Sequence, residues 1–177
     1  MRKYDIIYAD PPWKQIKGGI RKCRPHQGRE LDYNTLELAD IKNIILNVPT
    51  EENHVLFLWT IDKFLHEAEV LFSSYKLHAR LIWDKTNGVA PAFTVRFSHE
   101  YLLWFYAGTF QKVAEAHRGK YTTVLREKAT RHSRKPDIVR KMIEDFYPSA
   151  KRIELFAREK FTGWDAFGNE VDSDLLI

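Results

Sequence analysis

A strand-length apolar run, Asp5–Ala9, ends against two consecutive prolines in Asp10-Pro11-Pro12-Trp13. Proline gives no N–H to a sheet ladder and locks φ, so a strand entering this segment must stop at Asp10. The run Ile6-Ile7-Tyr8-Ala9 is apolar at successive positions, which suits a strand buried on both faces, as in a parallel sheet covered by helices. The remaining pattern agrees. Leu38, Ile41, Ile44, Ile45 and Val48 form a helical stripe within Leu36–Val48, and Pro49 stops it. His54–Trp59 reads as a strand, and Asp62–Ser74 as an amphipathic helix through Phe64, Leu65, Ala68, Leu71 and Phe72. Ala79–Trp83, Tyr101–Ala107 and Arg152–Phe156 are further strands. Pro136 suits the first turn of a helix carrying Ile138, Val139, Met142, Ile143 and Phe146. Alternation of this kind predicts an α/β fold, a mostly parallel sheet flanked by helices, in one domain spanning 1–177.

At 44% hydrophobic residues the chain has material for a real core and is not of disordered composition. Cys23 is the single cysteine, which excludes an internal disulfide and fits a reducing, cytoplasmic setting. The longest apolar runs, Val55–Trp59 and Tyr101–Ala107, are too short to span a bilayer, so no membrane is expected. A net charge of +4 leans toward a polyanionic partner, and its distribution says more. Lys14, Lys17, Arg21, Lys22, Arg24 and Arg29 follow one another with no acid between them, and Gly18-Gly19, Pro25 and Gly28 make 14–32 read as a mobile basic loop. A solvated face is the plainer reading of such a run. Its position directly after Asp10–Trp13 favours a function.

The tetrapeptide combines a carboxylate, backbone acceptors on a stiff turn and an aromatic plate. An exocyclic amino group on a nucleobase has two hydrogens to give. The Asp10 side chain and the carbonyl of Asp10 or Pro11 can take one each. Holding both hydrogens out of the ring plane localises the nitrogen lone pair and aims it at an electrophile, an effect that grows toward the transition state. Trp13 would stack on the base, worth roughly 1–3 kcal/mol. The same four residues also suit a strand end, a proline turn and a core tryptophan.

In open α/β sheets, ligands sit beyond the carboxyl ends of strands. Asp10 lies at one such end and Glu154–Arg158 span another. Glu154 can accept from ribose hydroxyls or pair with Arg152 or Arg158, and Asn169 after Gly168 can add a ribose contact or simply turn the chain. Lys135, before the Pro136 helix, offers a cation at a helix start where a carboxylate could dock. Arg96 and His99-Glu100, at the end of a loop at 84–99, are candidate substrate contacts or a structural salt link. No spacing among histidines, Cys23 and acids resembles a metal site. Neither a Walker phosphate loop nor G-x-G-x-x-G is present, which argues against phosphoryl transfer and a standard dinucleotide oxidoreductase.

Taken in order, Asp10-Pro11-Pro12-Trp13, Tyr33-Asn34-Thr35-Leu36, Phe57-Leu58-Trp59, Trp83-Asp84-Lys85-Thr86-Asn87, His99-Glu100, Ser133-Arg134-Lys135-Pro136-Asp137, Glu154-Leu155-Phe156-Ala157-Arg158 and Gly168-Asn169-Glu170 resemble the MT-A70 family of adenine N6-methyltransferases. The compact phage and bacterial members are the nearer likeness. The resemblance implies a permuted Rossmann-like class I methyltransferase fold, with the catalytic motif before the cofactor strand, and S-adenosylmethionine as methyl donor. It assigns Asp10 and Pro11 to grip of the adenine amino group, with Pro12 in the same catalytic motif and Trp13 stacking on the base or shaping its pocket. Asp10, Lys135, Glu154, Arg158 and Asn169 would hold the donor: Lys135 its methionine carboxylate, and Glu154, Arg158 and Asn169 its ribose. Tyr33 would border the adenine pocket, with Lys14, Lys17, Arg96 and His99 as nucleic-acid contacts.

Two departures stand out. Only four residues precede Asp5, so the acidic contact that larger members bring to the donor's adenine is expected to come from elsewhere or be absent. Few residues follow Glu154, so a sheet with fewer than seven strands is expected. DNA is the expected substrate, RNA the alternative. A silent nucleic-acid-binding partner subunit is a third reading, and the chain would act as a monomer or homodimer.

Overall fold

The computed structural model describes residues 2–14, 36–86, 95–130 and 134–175. Lys17 and Tyr33, most of the 14–32 basic stretch, and the middle of the 84–99 loop lie outside the described residues.

Strands β1 (Tyr4–Ala9), β2 (Thr50–Thr60), β3 (Lys76–Asp84), β4 (His99–Ala107), β5 (Val124–Arg126), β6 (Arg152–Leu155) and β7 (Trp164–Phe167) form one sheet. Its order is β5-β3-β4-β2-β1-β6-β7. Only β4 runs against its neighbours β2 and β3; all other pairings are parallel. The expected reduction of the sheet therefore does not occur. Three-residue β5 and four-residue β7 complete the seven, and both are too short to leave a period in the sequence.

Helices α1 (Leu38–Leu46) and α2 (Leu65–Leu71) cover one face, packing Ile41, Ile45 and Ala68 against Ile7, Ala9, Leu56 and Leu58. Helix α3 (Asp137–Phe146) covers the other, laying Val139, Met142, Ile143 and Phe146 against Ile6, Tyr8, Phe57 and Trp59. The helix expected over Asp62–Ser74 is shorter: a 3-10 turn at Asp62–Phe64 leads into α2. Pro136 is the residue before the first turn of α3, with extended backbone. It cannot donate, and the next two amides, of Asp137 and Ile138, donate to the Glu127 carboxylate at 2.8 and 3.0 Å. This carboxylate, just past β5, thus satisfies amides that the helix leaves unpaired.

The chain leaves β1 for β2 through a helix on one face and reaches β6 through a helix on the other. The crevice beyond the carboxyl ends of β1 and β6 is thus the switch point where α/β sheets bind ligands. Because β4 is antiparallel, its amino end, His99-Glu100, reaches the same edge.

Candidate functional site

Asp10 follows β1 directly, and its carboxylate faces a lysine from another element. Lys135 Nζ, before α3, lies 2.8 Å from Asp10 Oδ2 and 3.1 Å from Glu100 Oε2. Lys85, just beyond β3, pairs with Glu100 Oε1 at 2.6 Å. Two acids and two ammonium groups thus alternate as Lys85–Glu100–Lys135–Asp10, neutral when all are ionised. Below them lies an aromatic floor. Lys135 sits 5.5 Å from the Trp59 ring and Lys85 5.2 Å from that of Trp83. Those rings meet edge to face at 6.0 Å, and Trp59 Nε1 donates to the Tyr8 hydroxyl at 2.8 Å. Apolar rings under a charged row exclude water and strengthen each pairing.

Burial pushes the Asp10 carboxyl above its ordinary range, and the Lys135 charge only partly opposes this. Burial acts likewise on Glu100, but Lys135 and Lys85 outweigh it and hold its carboxyl below the ordinary value. Lys135 is pressed down by burial, yet Asp10 and Glu100 prevail and keep the ammonium firmly charged. Asp10 is the more solvent-accessible acid, its side chain 29% exposed against 15% for Glu100.

The proline turn is pinned on both sides. Trp13 N–H donates to the Pro11 carbonyl at 2.9 Å, and Leu36 N–H to the Pro12 carbonyl at 3.1 Å. Trp13 packs inward, which favours shaping of the pocket, or the plain core reading of the turn, over a stacking plate. The ring is 5% exposed, stacks on Phe64 at 5.6 Å and donates from Nε1 to the Trp59 carbonyl at 3.0 Å. The Trp13 ring thus anchors the proline turn in the core on the α1/α2 face.

The second carboxylate end is built around Glu154. Residue 154 pairs across β1 with Tyr8, two residues before Asp10, so by strand alternation Glu154 and Asp10 share a face. Arg140 of α3 donates to Glu154 Oε2 at 2.7 Å. Burial raises the Glu154 carboxyl, with Arg140 opposing. After β6 the chain turns through Phe156, whose φ of 60° is a conformation a bulky residue adopts only under constraint. Ala157 N–H then donates to the Phe167 carbonyl at 3.0 Å. Gly168 permits this contact: a Cβ there would overlap the Ala157 carbonyl oxygen. Arg158 and Asn169 adjoin the two sides of this contact in sequence, and Arg158 Nε lies 3.4 Å from Glu170 Oε1.

The other expected contacts scatter. Lys14 pairs with Glu37 at the surface. Arg96 is exposed before β4. His99 begins β4 with its ring 5.0 Å from that of Tyr101, and its Nε2 is buried without a hydrogen-bond partner among the described residues. The anion site expected at the start of α3 is filled by the chain's own Glu127. Sequence reading missed Lys85 and Arg140 as site residues and left Glu100 undecided; an acid following His99 at a strand start was the only signal.

Among the described residues, no group of three or more His, Cys, Asp or Glu is placed to hold a metal, and no helix is long and apolar enough to cross a membrane.

Fold and site together define an α/β protein of the open-sheet class, with acids at the carboxyl ends of adjacent strands, where such sheets bind ligands. The chain belongs to the MT-A70 family, whose model matches residues 4–170. It is 27% identical over 200 residues to the Type II methyltransferase M.MunI of Mycoplasma sp, covering 99% of this chain and 81% of that protein. A putative N(6)-adenosine-methyltransferase MT-A70-like of Medicago truncatula is 31% identical over 187 residues, covering 99% of this chain and 28% of the relative. The N(6)-adenosine-methyltransferase catalytic subunit METTL3 of Homo sapiens is 28% identical over 187 residues, with 29% of its length matched. The chain thus spans most of the compact relative and under a third of the two longer ones.

Proposed function

We propose that this protein transfers a methyl group from S-adenosylmethionine to the 6-amino group of adenine in DNA. The observation that carries the reading is the pair of acids, Asp10 beyond β1 and Glu154 on β6, on one face at the switch point of the sheet.

The residues present fit such a donor. Glu154 at the end of β6, with Arg158 and Asn169 next to the two sides of the Gly168–Ala157 contact, would supply polar groups suited to ribose hydroxyls. Lys135 has three N–H donors; two serve Asp10 and Glu100, and a third can meet the donor's carboxylate. The bound donor supplies a methyl group on a positively charged sulfur. Asp10 and the Pro11 carbonyl accept the two amino hydrogens and turn the nitrogen lone pair toward that methyl carbon. With the donor bound, formation of the N–C bond would be matched by loss of the C–S bond with its electron pair to sulfur, and the alkylated nitrogen would pass one proton to solvent. Asp10 needs no high basicity for this, because it holds a hydrogen bond that strengthens as positive charge develops.

A base within a duplex must first be turned out, at a cost of a few kcal/mol. DNA stands ahead of RNA because the chain matches the compact Type II relative along most of both lengths. RNA is the second reading, favoured by the names of the N(6)-adenosine relatives.

The test uses tritiated donor with matched DNA and RNA oligonucleotides in competition, on the wild type and Asp10→Ala. Label should enter DNA and fall at least a hundredfold in the variant. Preferential labelling of RNA would overturn the substrate. Near wild-type transfer by Asp10→Ala would overturn the role of Asp10. No calorimetric donor binding by the wild type would point instead to a silent partner subunit.

A further inference from the structure

Arg140 is held in an unusual way. It projects from α3 toward β6, and its guanidinium carbon lies 3.6 Å from the Phe161 ring centroid, 5.2 Å from Trp164 and 5.5 Å from Tyr8. Its Nη1 donates to Glu154 Oε2 at 2.7 Å, and both side chains are only 15% exposed. Its Nε is buried with no hydrogen-bond partner among the described residues. An orphaned buried donor is a cost that folding stability alone would select against. The rings explain why arginine stands here: a planar guanidinium can stack flat on aromatic faces, whereas a lysine ammonium meets a ring only as a point charge.

We infer that Arg140 is a positioning residue for the methyl donor, fixing the Glu154 carboxylate by one oxygen so that the other meets a ribose hydroxyl. The inference rests on the placing of Glu154 in the donor site. The bond to Arg140 uses Oε2 and leaves Oε1 to accept from a ligand. Three rings, Tyr8 of β1, Phe161 before β7 and Trp164 of β7, leave the guanidinium little room to turn, and the carboxylate is held through it. Arg140 also offsets what disfavours an ionised Glu154: burial, and the nearby charges of Asp10 and Glu159.

The experiment is calorimetric titration of S-adenosylhomocysteine into the wild type, Arg140→Met, Arg140→Lys, Glu154→Gln and the double variant Arg140→Met/Glu154→Gln, at several pH values. Residues that orient a ligand-binding group typically contribute tenfold or more, as around metal sites, so Arg140→Met should weaken binding about tenfold. Arg140→Lys should be intermediate, and the double variant no weaker than Glu154→Gln alone. Binding by Arg140→Met should also fall away on the acid side at higher pH than in the wild type, a change that looser packing would not produce. If Arg140→Met does not fold, Arg140→Lys carries the comparison. Weak binding by Glu154→Gln with normal binding by Arg140→Met would overturn this inference and leave Glu154 in its place. Additive losses would show that Arg140 acts by another route and would equally overturn it. Normal binding by Glu154→Gln would remove Glu154 from the donor site, and this inference with it.

Discussion

The Lys135 ammonium lies 2.8 Å from the Asp10 carboxylate, so the group assigned to the substrate amine is tied to a residue from the opposite side of the crevice. The same nitrogen reaches Glu100 at 3.1 Å. Lys135→Met would leave two acids facing Lys85 alone. Breaking a buried pair costs about 3–5 kcal/mol, and the partial exposure of Asp10 places the expected loss nearer 2–3 kcal/mol. Urea unfolding should show this, and Lys135→Met/Glu100→Gln should recover part of it, because the two sites are coupled. Unchanged stability in Lys135→Met would mean that the pairing contributes nothing net.

The two acids of the cluster move in opposite directions, which separates activity from stability on the acid side. Asp10 has a folded-state pKa above its unfolded value. Its ionised form is therefore a cost at neutral pH, relieved as pH falls through the raised value. Glu100 is depressed on folding. Its contribution is complete above the unfolded value and lost only as pH falls through the lower folded one. If ionised Asp10 is required for transfer, the acid limb of kcat/KM should lie above the ordinary aspartate value of about 3.9 while circular dichroism still reports a folded protein. A limb at or below that value would contradict the raised Asp10 pKa.

How far the sequence revealed this site depends on distance along the chain. The strand before Asp10 and the stripes of α1 and α3 were visible because burial imposes a period on neighbouring residues. The strand end at Glu154 and the turn after β7 were visible because strand ends and turns are local signals. Lys85, Glu100 and Lys135 meet only through the register that sets Trp83 opposite Glu100 and Asp84 opposite His99, and nothing local encodes that register. The same holds for Glu127, which caps α3 from ten residues away. Trp13 was ambiguous because an exposed stacking plate and a core tryptophan look alike in sequence. Phe64, fifty-one residues later, decides between them.

Gly168 offers a test of the turn that joins β6 to β7. A Cβ at 168 would overlap the Ala157 carbonyl oxygen and lie 2.7 Å from its amide nitrogen, both backbone atoms that cannot rotate away. Gly168→Ala should therefore push the 156–158 turn from β7 and cost about 1–3 kcal/mol, the usual range for overpacking. Because Arg158 and Asn169 flank the contact, donor affinity should fall as well. Thermal unfolding and donor titration measure the two effects. Normal donor affinity with reduced stability would show that the turn serves the fold alone.

Trp13 tests the opposite expectation, that a residue of the opening motif acts through packing. Trp13→Ala would remove a 5% exposed ring stacked on Phe64, and large aromatic truncations in cores cost about 3–5 kcal/mol. Trp13→Phe keeps a ring against Phe64 and loses the Nε1–H bond to the Trp59 carbonyl, worth about 1 kcal/mol. If the ring only supports the turn, Trp13→Phe should lower kcat modestly as the turn that carries Asp10 loosens, and leave KM for nucleic acid unchanged. If the ring received the base instead, loss of stacking surface would raise that KM while stability barely moved, because a solvent-facing ring contributes little to the fold. Steady-state kinetics beside urea unfolding of Trp13→Phe distinguish the two roles in one variant.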